Sequence, residues 1–226
     1  PLILLPSITI PTGVTFDGYG YKIYIDINNF TGAFVLAGGS IQNVSVMAEN
    51  STTGAGQSGY IVATGSPSGN IYNCHSNGAI GNCGGGIVGN ILGGVMLIER
   101  CTSSGYQQYT RSGGIVGCYN GSSINHTINE CHSTGKMHGS IANEISVNGG
   151  ICGTLYEVDV LTINNCYHAR EIINDNRNSG ICSVSQYLNP NANIIISNCY
   201  SVGSESKIIG PESSTVSEFI TIQYCI

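Results

Sequence analysis

The sequence predicts an all-β fold, a parallel β-solenoid of about seven coils, and three observations carry that prediction. The frame I-x-x-C-x-S recurs every 26 to 35 residues. A Gly-rich block, GGIVG or a close variant, precedes most copies. Charged residues make up only 9% of the chain, while 32 Gly, 13 Tyr and many Asn, Ser, Ile and Val supply short strands and tight turns. Self-similarity at such a period marks a solenoid, propeller or array. No window carries the 3.6-residue apolar period of a helix.

The frame stands at Ile71/Cys74/Ser76, Ile98/Cys101/Ser103, Ile128/Cys131/Ser133, Ile163/Cys166 (with His168 in place of Ser) and Ile196/Cys199/Ser201. Weaker copies flank these at Ile41/Val44/Val46 and Ile222/Cys225. The Gly block begins at Gly59, Gly85, Gly113, Gly149 and Ser179. One domain over 1–226 follows, with 1–29 as an N-terminal cap and first strands and 30–226 as repeated coils. Residues 6–26 alternate apolar and polar around Thr-Gly and Asp-Gly turns, as short strands should. Phe30–Met47 carries the first recognisable rung, with Phe34 where later copies have Ile. At the other end Gln223–Ile226 stops within a rung, so further sequence or another chain is expected to cover it.

The spacing inside the frame sets the register. Apolar residues two before the Ile (Met96, Leu161, Ile194, Ile220) alternate inward with it, but Cys comes three later rather than two. The extra residue turns a corner, best made by a left-handed residue, and Asn43, Asn73, Asn165 and Asn198 stand there. Beyond it Cys and Ser point in and the residue between them points out. In the Gly block, Ile and Val are adjacent, so one of them is expected to face outward and to favour lateral association.

Six of the ten cysteines share the column that Val44 occupies in the first copy, which reads as a small buried apolar site and a reduced interior ladder. Cys152 and Cys182 share a second position with Val62, Val88 and Val116, on neighbouring rungs where a bridge is conceivable. Cys83 and Cys118 fall outside both columns. So many free thiols suit assembly in a reducing compartment.

The string GGIVG followed by I-x-N-C-Y-S-x-G is similar to the GLUG-type repeats of bacterial surface proteins and to Asn-Cys-Tyr-Ser repeats of β-helical proteins from large DNA viruses. The opening ITIPTGVTFDGYGYKI resembles the first coil of a pectate-lyase-like right-handed β-helix. The resemblance covers about residues 6–226 and implies a right-handed coil, and, for fibre-like members, a homotrimer. It implies a non-enzymatic structural or surface protein, a virion or fibre component serving assembly or host attachment. The alternative is an extracellular carbohydrate-binding or polysaccharide-cleaving β-helix. Interior thiols favour a virion assembled in the host cytoplasm.

The net charge of −6, with seven Lys/Arg scattered singly, offers no basic stripe for nucleic acid. No run of eighteen apolar residues is present, so no helical membrane span is expected. Insertions gather in the loops around 119–127, 153–160 and 183–193, with a second set at 47–57, 106–111 and 136–148. Repeat proteins place binding where insertions gather, and Tyr119, Tyr156 and Tyr187 are the candidate binding residues for a host-surface glycan. Of the acidic residues only Glu157 and Asp159 lie close together, and the paired carboxylates of a glycosidase need about 5 to 9.5 Å between them, so no catalytic residue is assigned. His75 and His132 share an outward position but Thr102 intervenes, so no metal site or cofactor is assigned. Tyr167 and Tyr200 are expected to stack, and Arg100 and Glu130 to pair across one coil.

Overall fold

The computed structural model describes residues 7–53, 58–65, 67–138, 148–169, 172–173, 178–185, 188–202, 207–210 and 220–226. Among these every regular element is a strand, and every strand pairing is parallel. The chain winds as a right-handed β-solenoid of about six turns, close to the seven expected. No helix of the described residues is long and apolar enough to cross a membrane.

The first sheet is built from the strand that carries the frame Ile. Its rungs are Ile8–Pro11, Phe34–Gln42, Ser68–Tyr72, Gly94–Glu99, Ile124–Asn129, Val160–Asn164, Asn193–Ser197 and Ile220–Gln223, in chain order. The register aligns Ile41, Ile71, Ile98, Ile128, Ile163, Ile196 and Ile222 as one column. All but the terminal Ile222 are fully buried, and each such burial contributes about 1.5–3 kcal/mol. Thr15–Asp17 also joins this sheet, placing Phe16 against Ile41. Residues 8–24, expected as a cap with first strands, thus already pair in register with the coil that follows.

Two residues after the Ile the chain turns as the spacing requires. Asn43, Asn73, Asn165 and Asn198 have φ between 50° and 56°, and so do Arg100, Glu130 and Tyr224 at the same position in the remaining coils. Asn is favoured because its side chain tolerates this conformation and bonds locally. Asn73 Nδ2 donates to Asn43 Oδ1 at 2.7 Å, and Asn43 Nδ2 donates to Asp17 Oδ1 at 2.9 Å. The Asn43 bond, with those from Gln42 and the Tyr19 amide, holds the Asp17 carboxyl below its ordinary value.

Beyond the corner a second sheet stacks Lys22–Tyr24, Ser45–Met47, His75–Ser76, Thr102–Ser103, His132–Ser133, Tyr167–Ala169 and Tyr200–Val202. The cysteine column lies inside the turn, and all ten cysteines are free thiols. The Sγ atoms of the column cysteines donate to main-chain carbonyls two residues back, for example Cys131 to Asn129 O at 3.3 Å and Cys166 to Asn164 O at 3.2 Å. Cys152 and Cys182 are in register, as the repeat requires, and are unbridged.

The Gly block makes the third wall. It consists of the bridges Phe34–Val62, Val62–Val88, Val88–Val116 and Val116–Cys152, continued by Cys182–Val184 and Ile209–Gly210. Phe34 therefore stacks in the Val62 column rather than in that of Ile61. The expectation that one of the adjacent Ile and Val residues faces out is corrected here: Ile61, Val62, Ile87, Val88, Ile115 and Val116 are all buried. The wall is not a flat strand at this point. The amides of both Ile61 and Val62 donate to the one carbonyl of Ile87, at 3.1 and 2.9 Å, so the chain bends and both side chains turn inward.

The two repeated motifs meet across the interior. A Cβ on the second glycine of a block would strike the Ser column of the same coil: Gly86 against Ser103, Gly114 against Ser133, Gly180 against Ser201. Gly150 meets His168, which replaces Ser in that coil. The Cβ atoms on Gly86, Gly114 and Gly150 would also strike the next coil's backbone, as Gly114 meets Gly150 O. Glycine is required here for close approach, which explains why GG and C-x-S occur together.

Candidate functional site

Of the three candidate tyrosines, the two within the described residues do not form a common open face. Tyr119 is corrected outright, because its ring is fully buried. It bridges Ile91 and Leu155, so it sits in an inward column of the third wall, its ring edge-on to His126 at 5.5 Å with Cys152 as a polar neighbour of its hydroxyl. The repeat already held this answer: Ile91, Tyr119 and Leu155 each stand three residues after Val88, Val116 and Cys152. Tyr156 is half-buried, and the Arg111 guanidinium lies over its ring at 5.5 Å, so that face is already occupied. Burial pushes its hydroxyl up to about 12, with Arg111 pulling the other way. Tyr187 lies outside the described residues.

The acidic pair is structural in its inner member. Asp159 Oδ2 accepts the amides of Ser123 at 2.6 Å and Ile124 at 3.3 Å, and Oδ1 accepts Asn189 Nδ2 at 3.0 Å. Those bonds fix the loops of three coils to one carboxylate. Glu157 is exposed beside it.

The outward stripe of the second sheet is ordered by direct side-chain contacts. His75 Nδ1 bonds Thr102 Oγ1 at 2.6 Å, His132 stacks on Tyr167 at 4.7 Å, and Tyr167 stacks on Tyr200 at 4.8 Å. The expected tyrosine pair is present and extends to His132. Burial lowers both histidines, and for His75 the charges of His132 and Lys22 add to it. Among the described residues no three His, Cys, Asp or Glu side chains are placed to hold a metal ion. At the corner, Arg100 Nε donates to Glu130 Oε2 at 2.7 Å and its guanidinium covers the Tyr72 ring and bonds its hydroxyl.

A groove of about 410 Å³ opens elsewhere, on the side formed by the second set of variable segments. It is lined by Asn28, Asn29, Thr52, Thr53, Gly81, Asn82, Gln108 and Tyr109, contributed by four successive coils. The walls are pinned by the bridges Phe30–Thr53, Thr52–Ala79 and Ile80–Gln107. Within them Gly81 N donates to Thr53 Oγ1 at 2.7 Å and Thr110 Oγ1 to Asn82 Oδ1 at 3.0 Å. Tyr109 is 42% exposed, and among the described residues no ionised side chain lines the groove. Amides and hydroxyls flanking one open aromatic ring form an uncharged polar surface with one stacking face. Sequence reading placed Tyr109 in a variable segment without singling it out, because no motif joins these four positions.

Compared with known protein families, curated proteins and solved structures, the chain matches none.

Proposed function

We propose that the protein is a rigid, non-enzymatic structural or surface solenoid, a virion or fibre component for assembly or host attachment, whose side-wall groove takes a neutral glycan. The observation that carries the glycan part is the groove itself: seven uncharged polar side chains or backbone-lined positions and the exposed Tyr109 ring, spread over four coils fixed in register. Sugars present hydroxyls to amides and an apolar face to an aromatic ring, and a preformed wall loses little ordering entropy on binding. The virion setting rests on the resemblance of the Asn-Cys-Tyr-Ser frame and on the interior placement of the thiols. Homotrimeric assembly rests on the resemblance to fibre-like β-helices alone.

Screening against neutral oligosaccharides tests the reading. Binding that falls at least about tenfold in Tyr109→Ala and is unchanged in Tyr200→Ala, on another wall, supports it. No bound glycan, or equal losses in both variants, overturns the groove. Appearance of new reducing ends or unsaturated uronates overturns the non-enzymatic assignment, and a monomer mass by light scattering overturns the trimer.

A further inference from the structure

Two cysteines belong to neither column, and the winding brings them together. Cys118 N–H donates to Cys83 O at 3.3 Å, so the two residues lie on adjacent coils at the level of one main-chain hydrogen bond. Adjacent coils are about 4.8 Å apart, inside the Cα separation of about 4.4–6.8 Å that a disulfide spans. The Cys118 thiol, on the coil beside Cys83, donates its S–H to Arg111 O at 3.0 Å. Arg111, left-handed at φ 61°, carries its guanidinium over Tyr156 at 5.5 Å and beside Cys83.

The two sulfurs are not equivalent. The Cys118 thiol and then the Arg111 charge hold Cys83 below the ordinary thiol value against its burial, while burial first and then Cys83 push Cys118 up. Cys83 is also 6% exposed, more than any of the other buried cysteines, whereas Cys118 is 1% exposed. A partly reachable thiolate beside a guanidinium, backed by a buried thiol, is the arrangement of an attacking and a resolving cysteine. The column cysteines Cys101, Cys131 and Cys166 are fully enclosed.

We propose that Cys83 and Cys118 form a redox-active dithiol that closes to a disulfide between adjacent coils by exchange with a small disulfide of the glutathione type. The Cys83 thiolate attacks one sulfur of the small disulfide, forming a mixed disulfide and expelling one thiolate. Cys118 then gives up its proton, and its sulfur attacks Cys83 Sγ, breaking the mixed bond and expelling the second thiolate. One expelled thiolate takes up the proton given up by Cys118, and the other takes up the proton that Cys83 released on ionising. Two protein thiols are oxidised to one disulfide, and one small disulfide is reduced to two thiols. The assignment does not depend on the glycan groove.

The test is incubation of the folded protein in glutathione buffers of increasing oxidising ratio, followed by alkylation and peptide mapping by mass spectrometry. One cross-link joining the Cys83 and Cys118 peptides is expected, with the seven other buried thiols reactive only after denaturation and Cys225, half-buried in the last rung, alkylated in the folded protein. Cys118→Ser should stop at a glutathione adduct on Cys83, and Cys83→Ser should leave Cys118 unmodified. Arg111→Gln should slow the adduct on Cys83 severalfold near neutral pH, with the rate recovered at higher pH. A wild-type chain that stays fully reduced in the most oxidising buffer overturns the proposal. So does a cross-link among column cysteines, or modification of Cys118 in Cys83→Ser.

Discussion

His126 makes the fold sensitive to acid, and the size of the effect follows from its place in the core. Its column neighbours are Met96 and Leu161, followed by Ile194 and Ile220. The ring is fully buried against Tyr119, and neither ring nitrogen has a hydrogen-bond partner in good geometry. Burial lowers its pKa from 6.5 to about 4, with the Gly94 backbone pulling weakly the other way. The unfolded chain titrates near 6.5, so between that value and about 4 it binds a proton that the folded state refuses. Stability is therefore fully present above the unfolded value and falls as the pH drops toward the folded one, by about 3 kcal/mol across the window. His126→Leu extends the apolar column and removes the term. Urea unfolding from about pH 7.5 to about 4 should show the variant at least as stable as wild type when neutral, since an unpartnered buried polar group costs about 1–3 kcal/mol. Toward acid, the gap should widen by about 3 kcal/mol. The lowered His75 and His132 are present in both proteins and cancel in the difference. Parallel pH profiles for the two proteins, or an imidazole NMR midpoint near the unfolded value in the folded protein, would refute the reasoning.

Gly114→Ala should destabilise by about 1–3 kcal/mol or more in thermal unfolding, because its Cβ meets Ser133 and the Gly150 carbonyl. Adding Ser133→Gly should recover only the part due to the hydroxymethyl group. Asn165→Ala should cost about 1–2 kcal/mol and Asn165→Gly distinctly less, since φ is 53° there and Asn165 Nδ2 also donates to Asn129 Oδ1. Equal losses would mean the conformation is not what selects Asn. Glu130→Gln should leave the thermal midpoint nearly unchanged at low and at high salt, because the side chains of Arg100 and Glu130 are 52% and 42% exposed and water screens their ion pair.

How much could be read from sequence depended on whether a residue belongs to a repeated register. Ile, Cys and Ser of the frame were legible because seven copies fix which side chains point in, and the extra residue predicted the corner that Asn43 and Asn165 make. Arg100 and Glu130 adopt the same corner although their side chains give no such signal. Alternation failed at Ile61 and Val62, because it assumes a straight strand and the shared Ile87 carbonyl bends the chain. Tyr119 was misread because loop length outweighed its offset from Val116, which matches that of Ile91 from Val88. The groove was illegible for a different reason: Asn28, Thr52, Asn82 and Tyr109 are neighbours only after winding, and their types do not repeat.

The contact between each block's second glycine and the Ser column has a mechanical side. Because Gly86, Gly114 and Gly180 leave no room against Ser103, Ser133 and Ser201, opposite walls of the tube touch, and squeezing the rod sideways must compress close-packed atoms. Pulling along the axis meets a different resistance, since successive coils are held by rows of parallel hydrogen bonds that open one rung at a time. The protein should therefore be stiff in cross-section and bending yet peel in coil-sized steps under axial tension, a sawtooth of nearly equal increments in a single-molecule pulling trace.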